Sequence, residues 1–112
     1  MEKVTVFLRV DFAEGCRLGP GKIALLEAID RHSSIAAAAR ELGMGYRTAW
    51  LLVESLNAMF VEPVVATQPG RREGGTTVTK FGEHVIERFR RMEELSRKAI
   101  QTEITALRRA LK

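Results

Sequence analysis

Tyr46, Arg47 and Thr48 stand together directly after Gly43-Met44-Gly45, and Leu51 follows one helical turn later. At the exposed start of a helix, these are side chains suited to a DNA major groove. An arginine pairs bidentately with guanine, a threonine hydroxyl donates to a base or a phosphate, and a leucine touches a thymine methyl. Arg71 and Arg72, inside the glycine-rich stretch QPGRREGG, add charge that suits phosphates or the minor groove. The other reactive groups, Cys16, His32 and His84, are scattered. No nucleophile and base share a recognisable spacing, and no phosphate-binding glycine motif opens a helix after a strand. One cysteine forms neither a disulfide framework nor a Cys-rich zinc site. No enzyme activity, metal or cofactor is expected.

These residues need elements to hold them. Residues 34–60 read as two helices joined by a glycine turn, the outline of a helix-turn-helix. Ser33 or Ser34 caps the first, whose four alanines, Ala36 to Ala39, allow another helix to approach closely, and Gly43 stops it. The second starts near Gly45 and gathers Tyr46, Ala49, Val53, Leu56 and Phe60 into an apolar stripe. Arg47, Thr48, Leu51, Glu54, Ser55 and Ala58 face the other way. Trp50, on the flank, is expected to pack, because an indole is mainly apolar surface. Glu54 belongs where the helix leaves the groove, since it repels phosphate.

Before this pair, Val4, Val6, Leu8 and Val10 alternate with Thr5, Phe7, Arg9 and Asp11, which predicts a half-buried strand, followed by a loop to Gly19. Gly19-Pro20-Gly21 then opens a core-facing helix to about His32, with His32 a helix-end histidine and no ligand. After the pair, Val64 to Thr67 and Thr76 to Thr79 read as the strands of a hairpin with a charged tip, the place of a wing. Thr79 caps a last helix from Lys80 that stays helical almost to the end.

Thirty unbroken helical residues span about 45 Å, more than one small domain covers. The far part, through Met92, Leu95, Ala99, Ile100, Ile104, Leu107 and Leu111, is therefore expected to form a homodimer, antiparallel or crossed because its apolar stripe drifts from a strict heptad. The chain of 112 residues has a net charge of +4, a modest bias toward an anionic partner. It shows neither a membrane span nor a signal peptide, and cytoplasmic placement is expected.

The runs GPGKIALLEAID and SSIAAAARELGMGYRTAWLLVESLN, with a glycine-rich turn leading to TTVTKFGEHVIERF, resemble the N-terminal DNA-binding domain of the ModE family of molybdate-responsive transcription regulators. LysR-type regulators share the broader plan, but Tyr46-Arg47-Thr48-Ala49-Trp50 and the N-terminal strand tilt the resemblance to ModE. The resemblance implies a mainly helical α+β fold: a winged helix-turn-helix over residues 1–79, with N-terminal strand and β-hairpin wing, and a long C-terminal dimerisation helix over residues 80–112. It implies a dimer on palindromic double-stranded DNA, with Tyr46, Arg47 and Thr48 at the groove and Arg71 and Arg72 at the backbone. Ser34, Thr76 and Lys80 complete the candidate DNA-binding set. Full-length members sense molybdate through C-terminal oxyanion-binding domains, and the 112 residues leave no room for one, so the effector is open. Arg71 and Glu73 stand where the family tends toward glycine, which trades backbone approach for arginine contact. Two other roles remain: a protein-interaction module or dimerising antagonist of a full-length regulator, and a sequence-independent architectural DNA binder.

Overall fold

The computed structural model describes residues 4–67 and 75–112. Its hub is helix α1, Pro20–His32. Pro20 opens it, where the first N–H needs no partner, and Ile23, Leu25, Leu26, Ala28 and Ile29 are buried. Ser33 ends it in a left-handed conformation (φ 53°), its N–H donating to Ile29 O at 2.7 Å. Ser34 then caps α2, Ile35–Leu42, accepting from the Ala37 N–H at 3.1 Å. Of the two serines, one closes a helix and the next opens another. Helix α3, Tyr46–Met59, follows a turn at Gly43, whose φ of 68° suits glycine. Phe89 and Leu56 join the core beneath α1, and Arg90 of the last long helix grips Glu27 of α1 with two hydrogen bonds while pairing with Glu93 at 2.7 Å. Both carboxylates hold the Arg90 guanidinium more firmly protonated than an ordinary arginine.

The N-terminal strand differs from expectation in place. Strand β1 is Val10–Ala13, and it pairs antiparallel with β2, Cys16–Leu18, inside the stretch read as loop. The register is Val10↔Leu18, Asp11↔Arg17 and Ala13↔Cys16, with an irregularity between Asp11 and Ala13. Gly15, at φ 79°, makes the turn. Residues 5–10 nevertheless keep the expected alternation, Val6, Leu8 and Val10 half-buried and Thr5, Phe7 and Arg9 exposed, whereas Val4, expected to face inward, is exposed. Alternation of side chains reports which face is covered, whereas ladder hydrogen bonds need a neighbouring strand, and the turn at Gly15 returns one only alongside residues 10–13.

The second hairpin joins β3, Val65–Thr67, to β4, Thr76–Val78, in the register Val65↔Val78, Ala66↔Thr77 and Thr67↔Thr76. The tip, with Arg71 and Arg72, lies outside the described residues.

The last helix is also corrected. Helix α4 runs Lys80–Ala99, and after Ile100 a separate α5 spans Gln101–Arg109. Ile100 leaves the α region (φ −103°, ψ 8°), although its N–H still donates to Ser96 O at 3.1 Å and Ile104 N–H to Ile100 O at 3.0 Å. The hydrogen-bond ladder thus crosses the break. Gly82, Val85 and Phe89 are the buried positions of α4, and α5 has none, so no packing holds a β-branched residue at position 100 to ideal helical angles. The whole extends 57 × 29 × 23 Å.

Candidate nucleic-acid interface

Helix α3 is fixed from behind and free in front. Ala49, Val53 and Leu56 are buried, and Ala38 and Ala39 of α2 are small enough for the two helices to close on one another. Gly43 and Met44 N–H groups donate to Arg40 O at 3.2 Å and Ala39 O at 3.0 Å, so the end of α2 is satisfied as the chain turns.

Behind α3, Lys22 of α1 donates to Arg17 O at 2.6 Å and reaches Ser55 Oγ at 3.4 Å. Burial, then the charge of Arg17, pulls the Lys22 ammonium below its ordinary pKa. Ser55, expected on the exposed face, is half-buried by this contact.

The front presents Arg47, Thr48, Leu51, Glu54 and Ala58, all exposed as the helical spacing predicts. Among the described residues none pairs with Arg47, so its five donors are available. Tyr46 and Trp50 depart from their expected packing. Tyr46, assigned to the apolar stripe, is 57% exposed, and Trp50 is 45% exposed. Both lie at the edge of the stripe centred on Ala49 and Val53, one at the first helical residue, where no preceding turn shelters it. With Arg47 they line a surface hollow of about 300 Å³.

Other candidates fall as follows. Ser34 is half-buried, and its oxygen is occupied by the cap of α2. Thr76 is buried at 7% exposure, with its N–H donating to Ser33 O at 3.4 Å, so Thr77 is the outward residue of β4. A period of two makes such a swap of faces a one-residue matter. Lys80 is exposed at the start of α4. His32 is no lone histidine: Nε2 lies 2.8 Å from Glu41 Oε1, and Arg31 binds the same carboxylate, lowering the Glu41 pKa. That cluster ties α1 to α2 on the surface.

The sequence reading missed Asn57. On the inner side of α3, its Oδ1 accepts from the N–H groups of Val64 (2.8 Å) and Val65 (3.2 Å), and its Nδ2 donates to Val65 O at 3.0 Å. One amide thereby pins the first wing strand to the helix. An asparagine in the interior of a helix, with lower propensity than its neighbours, was the available signal.

The helix-to-wing junction is closed by Thr79. Its Oγ1 donates to Pro63 O at 2.7 Å and accepts from Gly82 N–H at 2.9 Å, while Thr79 N–H donates to Val64 O at 2.9 Å. Gly82 lies against the Val64 backbone, which accounts for the T-x-x-G spacing in packing terms.

Of the residues expected at a dimer interface, Met92 and Ile104 are half-buried, while Leu95, Ala99, Ile100, Leu107 and Leu111 are exposed. Beside them Phe12, Leu18, Phe60, Phe81, Val85 and Met92, together with His84 and Arg88, line a mainly apolar groove of about 540 Å³. Phe60 and Phe81 meet edge to face, centroids 5.4 Å apart. No described helix is long and apolar enough to cross a membrane.

No protein-family model matches the chain. It is 47% identical over 85 residues to the molybdenum-pterin-binding protein MopA of Rhodobacter capsulatus, covering 75% of this chain and 32% of that protein. It is 36% identical over 87 residues to the molybdenum transport protein ModE of Azotobacter vinelandii, covering 77% and 32%. To the DNA-binding transcriptional dual regulator ModE of Escherichia coli it is 28% identical over 81 residues, covering 71% and 31%. The chain spans about a third of the length of the curated relatives it matches. A mainly helical α+β winged-helix fold and homology to MopA, MopB and the ModE regulators over about three quarters of its length identify the chain as a ModE-family N-terminal domain.

Proposed function

We propose that this domain is a sequence-specific DNA-binding unit of a ModE-type transcription regulator, linked to molybdate or oxyanion metabolism, that grips a palindromic operator as a homodimer. The observation that carries the reading is the two-sided character of α3. Its rear is held by buried Ala49, Val53 and Leu56 and by Asn57, while Arg47, Thr48 and Leu51 project with Arg47 unpaired among the described residues. A rigid helix with a free arginine at its exposed start fits major-groove readout. Tyr46 joins this face, and Lys80 and the arginines at 71 and 72 are positions for phosphate contact.

Selection of bound sequences from a random duplex pool tests the reading, with recovery of an inverted repeat expected. Arg47→Ala should then reduce discrimination at one position of each half-site by about 1 to 3 kcal/mol. Arg71→Ala or Arg72→Ala should instead weaken binding to every sequence and lower the salt slope by about one. Titrations of operator and random DNA at several salt concentrations separate these outcomes. Equal losses for Arg47→Ala on both DNAs would remove base readout and favour an architectural role.

Support for a homodimer comes from the uncovered apolar surface. Leu107 is 70% exposed, no residue of α5 is fully buried in its own chain, and the groove at Phe12, Phe60, Phe81 and Met92 is open. Since α4 lies in the core as far as Phe89, the dimerising part of the proposed C-terminal unit begins near Met92. In sedimentation equilibrium the chain should be a dimer at micromolar concentration, and Leu107→Glu with Leu111→Glu should shift it to monomer. A wild-type monomer would refute the dimer.

A further inference from the structure

Three large apolar side chains lie uncovered on the first two turns of α3: Tyr46, Trp50 and Leu51. Tyr46 and Trp50 are four residues apart and therefore neighbours on one flank, and Arg47 shares the hollow they line. Among the described residues no ring stacks on the indole and no hydrogen bond engages it. Two aromatic walls beside an unpaired guanidinium make a site for an apolar substituent next to a pair of acceptors. In the major groove the apolar substituent is the thymine 5-methyl group, and the acceptor pair matched to a guanidinium is guanine O6 and N7. A phosphate would want several donors, and an indole has one.

We propose that Tyr46 and Trp50 form a slot for the 5-methyl group of a thymine adjoining the guanine that Arg47 reads, which makes Trp50 a specificity-determining residue. The inference rests on the reading of α3 as a DNA-recognition helix.

The probe is the duplex recovered by selection, with each thymine replaced in turn by deoxyuridine. The change deletes one methyl and preserves O4 and base pairing. At one thymine per half-site, the replacement should weaken wild-type binding about fourfold, the value of one buried methyl. In Trp50→Ala, binding at that position should no longer distinguish thymine from uracil, and in Trp50→Phe part of the discrimination should remain. Trp50→Gln repeats the test should the alanine variant fail to give a native thermal transition. Uniformly neutral deoxyuridine substitutions on a selected duplex would overturn the slot and leave the DNA reading standing. So would a Trp50→Ala variant that keeps the thymine preference, or one that weakens thymine and uracil duplexes alike. Selection that recovers no preferred duplex would overturn the slot together with the reading beneath it.

Discussion

Gly82→Ala should destabilise the domain by about 2 to 4 kcal/mol, although alanine is the better helix former by roughly 1 kcal/mol. A Cβ at this position would be driven into Val64 O and would lie 2.7 Å from Val78 Cγ1 and 3.1 Å from Val64 C. A rotamer change can ease Val78 aside, but the Val64 backbone has no such freedom. Its carbonyl accepts from Thr79 N–H at 2.9 Å, and its N–H is held by Asn57 at 2.8 Å. Relief therefore requires the start of α4 to withdraw from Val64, which sacrifices the Thr79 cap, itself worth about 1 kcal/mol. Gly21 supplies the control. It sits in α1, where an added methyl would meet nothing within 4 Å, so Gly21→Ala should stabilise by about 0.5 to 1 kcal/mol. Urea denaturation of both variants should move the midpoints in opposite directions, and a Gly82→Ala midpoint at or above wild type would refute the close-approach argument.

Asn57→Ala is the second large effect, a loss of about 2 to 4 kcal/mol from three backbone bonds broken by one substitution. The penalty exceeds that of a surface amide because the N–H of the buried Val64 is left without its acceptor. Asn57→Asp is more instructive. It retains an acceptor for the two N–H groups but sets a carboxylate against Val65 O, so the wing strand should loosen while the core stays formed. Amide hydrogen exchange at Val64 and Val65 should accelerate in both variants. Unchanged protection there would mean that β3 is held by β4 alone.

The elements that were legible from the sequence are those governed by local rules. Pro20 opens α1, Gly43 closes α2, and Thr79 caps α4 because a proline φ, a left-handed glycine and a threonine oxygen act over a few residues. The exposed Arg47, Thr48 and Leu51 follow from helical spacing around Ala49 and Val53. What escaped depends on neighbours distant along the chain. Trp50 lies at the edge of its stripe, and periodicity does not say whether another element will reach over it. The strand at Val10–Ala13 is chosen by where its partner returns, and the interruption at Ile100 by where burial stops. Asn57 belongs to the same class, because its partners are set by the path of the chain after Phe60.

The Thr79 hydroxyl, bonded on one side to the segment before the wing and on the other to the first turn of α4, has a mechanical consequence. It is a pivot shared by two arms, one running out through the wing strands and the other along twenty residues of helix. Because Val85, Phe89 and Arg90 anchor α4 to the core and to α1 beyond that pivot, a load on the distal helix is borne there first, and the base of the wing stays in step with the start of α4.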